Sequence, residues 1–161
     1  MLRLTLVRHA KAEPEQTGQE DWERVLDATG QREAVRMGQS LQRRHLQPAC
    51  LACSTAARAM STAQLLAHEL DYPAHAIVAD ERLYLISAPD LLTWICEQER
   101  TAAHLMIVAH NPGLSDFAAR ITAQPTVDAL PTGASYTLRF AIEHWRELTW
   151  ASGEEAELDT P

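Results

Sequence analysis

The sequence predicts an α/β fold, a three-layer α/β/α sandwich with a mostly parallel central sheet and an antiparallel C-terminal edge. Three observations carry this expectation. Strand-like and helix-like apolar periods alternate along the chain. The segment HLMIVAH (104–110) is almost wholly apolar, as a strand covered on both faces must be. SYTLRFAI (135–142) places Tyr136, Leu138, Phe140 and Ile142 on one face, the period-two pattern of a strand at an antiparallel sheet end. The 161 residues fit one domain, expected over 1–150, followed by a flexible acidic tail over 151–161 that lacks apolar spacing.

The elements follow in order. LRLTLV (2–7) is a strand, and from Thr29 the apolar positions Ala34, Met37, Gly38 and Leu41 recur at three and four, predicting a helix to about His45. CLACS (50–54) is a second strand. Ala56, Ala59, Met60, Ala63, Leu66, Ala67 and Leu70 form the buried stripe of a second helix, with Thr55 as its expected cap. AIV (76–78) is a short edge strand, and Pro89 opens a third helix with Leu91, Leu92, Ile95 and Cys96 inward. After the central strand, Asn111 and Pro112 are the expected cap and first residue of a fourth helix that buries Leu114, Phe117, Ala118 and Ile121. WRELTW (145–150) is the expected hairpin partner of the 135–142 strand.

Composition excludes some functions. A formal charge of -8 argues against a nucleic-acid-binding surface, because excess carboxylate repels phosphate backbones. No run approaches the roughly 18 apolar residues needed to cross a bilayer, and Leu4 to Val7 is far shorter than a signal-peptide core, so the expected location is the cytoplasm and no membrane partner is expected. Cys50 and Cys53 share the spacing of redox and zinc sites, but a metal site needs a second ligand pair and only Cys96 is left. On a strand, residues three apart point to opposite faces, so buried unpaired thiols are expected.

Ligands of open α/β sheets sit beyond the carboxyl ends of the strands. Arg8 and His9 follow the first strand, Ser54 to Arg58 the second, and His110 and Asn111 the central one. Two arginines and two histidines therefore converge on one edge. The planar forks of Arg8 and Arg58 suit phosphate oxygens, and Arg58 lies in a first helical turn, where free N–H groups also favour an anion. One imidazole can act as a nucleophile and the other can donate to the oxygens as charge builds up.

LVRHAKAE (6–13), STAARAMSTA (54–63) and VAHNPGL (108–114) resemble, in order and spacing, the three motifs of the histidine phosphatase superfamily, also called phosphoglycerate-mutase-like. The fit is closest to the short SixA-type phosphohistidine phosphatases, which favour His-Asn-Pro in the last motif and carry an Asp-x-x-Arg-x-Leu segment similar to DWERVL (21–26). The resemblance implies a phosphoglycerate-mutase-like fold over residues 2–150. It implies His9 as the nucleophile that accepts the phosphoryl group, Arg8 and Arg58 as ligands of its oxygens, and His110 as the group stabilising phosphoryl transfer. Backbone N–H groups at Asn111, otherwise a helix cap, could face the phosphate. No metal and no cofactor are implied, because arginines and His110 supply the positive charge that Mg²⁺ provides elsewhere.

The sequence departs from the wider family in two places. Mutases and many monoesterases of the superfamily carry an acidic proton donor just after a Glu-Leu pair, and the similar stretch DERLYLIS (80–87) has Tyr84 and Leu85 there, with Glu81 out of register. An alkoxide leaves poorly without a proton, whereas imidazole departs from a protonated phosphohistidine as a neutral ring, so the missing acid favours a P–N substrate. Ala10 stands where the wider family usually has Gly. The expected substrate is a phosphohistidine-bearing protein, for example a histidine phosphotransfer domain. The alternatives are phosphomonoesterase action on a small phosphate ester and a non-catalytic phosphate-binding module. Lys11 is placed equally well at the pocket rim or on the surface, and Asp21 and Arg24 are expected to form a structural ion pair in the loop over the site rather than to contact substrate. Trp22 either anchors that loop or touches a partner, and His45, His68, His75, His104 and His144 are structural or surface residues.

Overall fold

A six-stranded sheet organises the computed structural model, which describes residues 1–124 and 127–161. The strands are β1 (Leu2–Arg8), β2 (Cys50–Cys53), β3 (Val78–Ala79), β4 (His104–Ala109), β5 (Ser135–Phe140) and β6 (Glu154–Asp159), in the order β3-β2-β4-β1-β5-β6. β3, β2, β4 and β1 run parallel, whereas β5 runs antiparallel to β1 and β6 antiparallel to β5. The helices are α1 (Ala28–Arg43), α2 (Ala57–Glu69), α3 (Ala88–Cys96) and α4 (Gly113–Ile121).

Strand alternation sorts the core into two layers. Leu4, Leu6, Leu105 and Ile107 face α3 and α4 through Leu91, Trp94, Ile95, Leu114 and Phe117. Val7, Leu51, Cys53, Met106 and Val108 face α1 and α2 through Met37, Leu41, Ala63 and Leu66. Every residue of β4 is buried, as its continuous apolar run requires. Each such Leu or Ile withdrawn from water contributes about 1.5–3 kcal/mol before entropy is counted. The result is the expected α/β/α sandwich with a parallel centre and antiparallel edge. Cys50 is packed with one layer and Cys53 with the other, and all three thiols are free. Among the described residues no helix is long and apolar enough to cross a membrane.

Three local expectations need correction. The partner of β5 is not WRELTW: Trp145–Glu147 is a short 3-10 turn, with the Trp145 ring buried against Phe140 and its Nε1 donating to the Ala102 carbonyl. Trp150 instead lies under the Arg120 guanidinium and beside Phe117. The pairing is made by β6, within the stretch expected as a flexible acidic tail. β6 is the last strand of the sheet, paired on one side only, and charged side chains are common on such edges. Charge attaches this one: Arg44 pairs with Glu157 and Asp159, and Ser40 Oγ donates to Asp159. At the head of α2, the cap position is Ala56 without a side-chain bond, and Ser54 rather than Thr55 receives a local backbone N–H, that of Ala56. At α3, Leu92 and Cys96 are only half-buried and Trp94 takes the interior place.

Two glycines fix how closely the loops over the sheet edge can pack. A Cβ on Gly113, the first residue of α4, would lie 1.8 Å from the Ile86 carbonyl oxygen, and one on Gly30 would lie 1.9 Å from that of Lys11. Both neighbours are backbone, so neither could yield without moving a chain segment that borders the sheet edge.

Candidate active site

The parallel centre of the sheet ends β1, β2 and β4 on the same edge. Backbone bonds tie these ends together: His9 N donates to Ala109 O, Ser54 N to Val108 O, and Gly133 N to the Arg8 and His9 carbonyls. Thr62 links two sequence motifs, because its Oγ1 accepts from Ala10 N and donates to Arg58 O.

His9, Arg58 and His110 meet there. The two imidazole centroids are 5.2 Å apart, and Arg58 Nε lies 3.3 Å from His9 Nε2. His9 is 8% exposed, Arg58 3% and His110 1%, so all three work at low local dielectric. His9 Nδ1 donates to the Ala10 carbonyl at 2.8 Å. A carbonyl can only accept, so Nδ1 carries the hydrogen and Nε2 presents its lone pair toward Arg58. His110 Nε2 is 2.7 Å from Ser54 Oγ, while its buried Nδ1 has no hydrogen-bond partner among the described residues.

Arg8 and Asn111 are placed beside this cluster by one carbonyl. Arg8 Nη1 and Asn111 Nδ2 both donate to Leu130 O, at 3.0 and 2.9 Å, and the buried Arg8 Nε has no partner among the described residues. The cap position of α4 is Pro112, without a side-chain bond, rather than the expected Asn111, which sits one residue earlier with its Oδ1 accepting from Ser115 N and Oγ. Lys11 is exposed and paired with Asp27.

The loop over the site contributes more than its composition suggests. Arg24 Nη1 pairs with Asp21 Oδ1 at 3.1 Å, the expected ion pair. Asp21 also reaches the cluster: its Oδ2 accepts from Arg58 Nη2 at 2.8 Å and from the Tyr84 hydroxyl at 2.5 Å, and its carbonyl accepts from Arg58 Nη1 at 2.7 Å. The Tyr84 ring stands edge-on to His110, with centroids 5.4 Å apart, and Trp22 stands edge-on to Tyr84. Trp22 therefore braces the loop while remaining 51% exposed. Ser54 and Arg58 lie in the second motif and Asp21 in DWERVL, but nothing in those segments signals the Ser54–His110 contact or the Asp21–Arg58 bridge. The one sequence signal for Tyr84 is its place where an acid is expected.

Burial sets the protonation states. It pushes His9 down to about 4, against the hydrogen bond to Ala10 and helped by Arg58 and Arg8, and His110 down to about 3, helped by His9 and Arg58. Burial works to raise Asp21, but hydrogen bonds from Tyr84, Arg58 and Arg24 outweigh it and hold the carboxyl well below its ordinary range. Burial and Asp21 together raise Tyr84. At neutral pH the site thus has two neutral imidazoles, ionised Asp21 and a phenol that keeps its proton. Among the described residues no group of three or more His, Cys, Asp or Glu is arranged to hold a metal ion.

A stability consequence follows from these values. Burial also holds His104 down to about 4, at the opposite end of β4, where its Nε2 meets Thr5 Oγ1. All three histidines bind protons more weakly folded than at the ordinary 6.5, so the unfolded chain takes up the extra protons. Their neutral burial is free of penalty above about pH 6.5 and destabilising as pH falls toward 4. Thermal unfolding should show Tm falling over that window, with a shallower fall in His104→Gln. A flat Tm between pH 6.5 and 4 would contradict the assignment.

Comparisons with known proteins identify the family and the fold. A sequence model of the histidine phosphatase superfamily (branch 1) matches residues 4–88, more than half of the chain. Among solved structures, a candidate phosphohistidine phosphatase SixA from Agrobacterium tumefaciens is 26% identical, with a TM-score of 0.77 over 86% of this chain and 92% of that one. One from Nakamurella multipartitia is 24% identical, with a TM-score of 0.79 over 99% and 96%. A mycobacterial glucosyl-3-phosphoglycerate phosphatase is 16% identical, with a TM-score of 0.67 over 99% and 98%, and at such identity only the fold is shared ground. No curated protein matches the chain.

Proposed function

This chain belongs to the histidine phosphatase superfamily and is a phosphatase, and we propose that it works through a phosphoryl group carried on His9 Nε2. The superfamily assignment supports phosphomonoesterase chemistry at large; the roles of individual residues and the substrate are our reading. The observation that carries it is the His9 tautomer: Nδ1 is committed to Ala10 O, so the lone pair lies on Nε2, where it accepts only a long 3.3 Å bond from Arg58 Nε, across from His110.

In the first step His9 Nε2 attacks phosphorus, a P–N bond forms, and the leaving group departs with the electron pair of the bond it held to phosphorus. Arg8 and Arg58 bind the equatorial oxygens, and the unpaired Arg8 Nε and His110 Nδ1 are the polar atoms still able to take one. A bound dianion raises the proton affinity of His110, so that it can donate where charge accumulates. In the second step water attacks phosphorus, the P–N bond breaks with its electron pair returning to His9 Nε2 as the neutral ring, and the water's protons leave with the released phosphate.

Within this chemistry we favour phosphohistidine as the substrate. The residue at the expected donor position is Tyr84, whose proton is held by Asp21, while Asp21 itself is ionised. Neither is fit to protonate an alkoxide, whereas a leaving imidazole needs no such help. Exchange of one phosphoimidazole for another is also close to thermoneutral. Action on a small phosphate ester is the second reading, and membership of the superfamily at large supports it. The test is a comparison of kcat/KM on a phosphorylated histidine phosphotransfer domain, on free phosphohistidine and on a panel of sugar and nucleotide phosphates. Preference for the P–N substrates is expected; efficient turnover of one ester with none of phosphohistidine would move the assignment to the second reading.

A further inference from the structure

Asp21 already occupies the group that the proposed reaction needs. Both terminal nitrogens of Arg58, the pair best shaped to fork onto phosphoryl oxygens, are taken by this one residue: Nη2 by its carboxylate at 2.8 Å and Nη1 by its carbonyl at 2.7 Å. Only Nε is turned to His9 Nε2. A phosphorus bonded to that nitrogen would bring a dianion against the same guanidinium and close to the Asp21 carboxylate, where like charges repel.

We infer that Asp21 is an internal competitor for the substrate, a specificity-determining residue that releases Arg58 only to a phosphoryl dianion. This rests on the reading above that Arg58 receives the phosphoryl group. A free carboxylate or other monoanion gains nothing by displacing Asp21, because it exchanges like for like and meets a rival held in place by the chain at high effective concentration. A phosphoryl dianion carries twice the charge and also engages Arg8, so it wins. The displaced carboxylate is not stranded. Arg24 holds its other oxygen, Oδ1, at 3.1 Å, the Tyr84 hydroxyl donates to the Oδ2 that Arg58 would leave, and Arg24 is itself fixed by its Nε bond to Glu13 O. The 3-10 turn Asp21–Glu23 that carries Asp21 also carries Trp22 against Tyr84, so the exchange is coupled to an indole on the surface.

Asp21→Asn keeps the shape and an acceptor but removes the charge. Calorimetric titration with inorganic phosphate should show binding about tenfold tighter in D21N than in the wild type. Acetate should bind measurably only in the variant. Unchanged or weaker phosphate binding in folded D21N would overturn the inference and leave Asp21 as a residue that merely positions Arg58. A second measurement uses the wild-type site: phosphate should produce a saturable change in fluorescence that Trp22→Phe abolishes, and its absence at saturating phosphate would equally count against release of Asp21. Arg58→Lys separates the two levels of argument. If that variant binds phosphate as well as the wild type, the phosphoryl role of Arg58 fails; if it binds more weakly while D21N shows no gain, only the competitor role fails.

Discussion

Replacing His9 by Ala is expected to reduce turnover by about 10⁴-fold or more and to abolish the covalent intermediate, because removal of a nucleophile takes away both chemical steps at once. The fold should survive, since the ring's backbone bond is to the adjacent Ala10 carbonyl and its other contacts are the long one to Arg58 and the tilted packing on His110. Brief exposure of the wild type to a phosphoryl donor, followed by an alkaline quench, should trap an acid-labile, base-stable adduct at Nε2, with Nδ1 unmodified. The position of the adduct tests the tautomer as well as the residue. Retention of labelling in the Ala variant, or an adduct on Nδ1, would refute the proposed first step. His110→Ala does not serve as a substitute test, because that ring also packs against Tyr84 and reaches Ser54.

The sequence made His9, Arg58 and His110 legible together because an open parallel sheet has only one carboxyl edge, and each of these residues follows a recognisable apolar strand. The phase of the strands then decided burial: β4 needs no polar side because helices cover both faces. What stayed hidden depends on contacts between segments whose patterns say nothing of one another. Asp21 and Arg24 are three apart and suggest a local pair, which forms; that Asp21 also crosses to Arg58 depends on where the loop closes over α2. The loop's course is set partly by Ala12 pairing with Leu26 and by the Glu13–Val25 backbone bond, neither of which has a sequence signature. Leu130 contributes through its carbonyl oxygen, so its side chain carries no information about the role. β6 was missed for a different reason: only Ala156 and Leu158 alternate among its acidic residues, and its attachment relies on Arg44, a residue at the far end of α1.

Arg58→Lys is the second large effect to expect, a loss of about 10²–10³-fold in kcat/KM, the scale measured when one donor to a developing oxyanion is removed. Lysine keeps the charge but not the fork. In the protein Arg58 does three things with three nitrogens, holding Asp21 with two and approaching His9 Nε2 with the third, and one ammonium at the end of a flexible stem cannot do all of them. If Arg58 acts mainly on the phosphoryl group, the loss should appear in kcat as well as KM, because the contact strengthens as charge develops. If its main task is to anchor the loop through Asp21, then D21N should cost as much as R58K. The double variant decides between these. Under the competitor reading D21N alone improves phosphate binding, R58K alone weakens it, and the improvement vanishes in the pair, since Asp21 has no fork left to contest. Simple additivity of the two changes would show that Asp21 and Arg58 act on the ligand independently, despite the 2.8 Å between them.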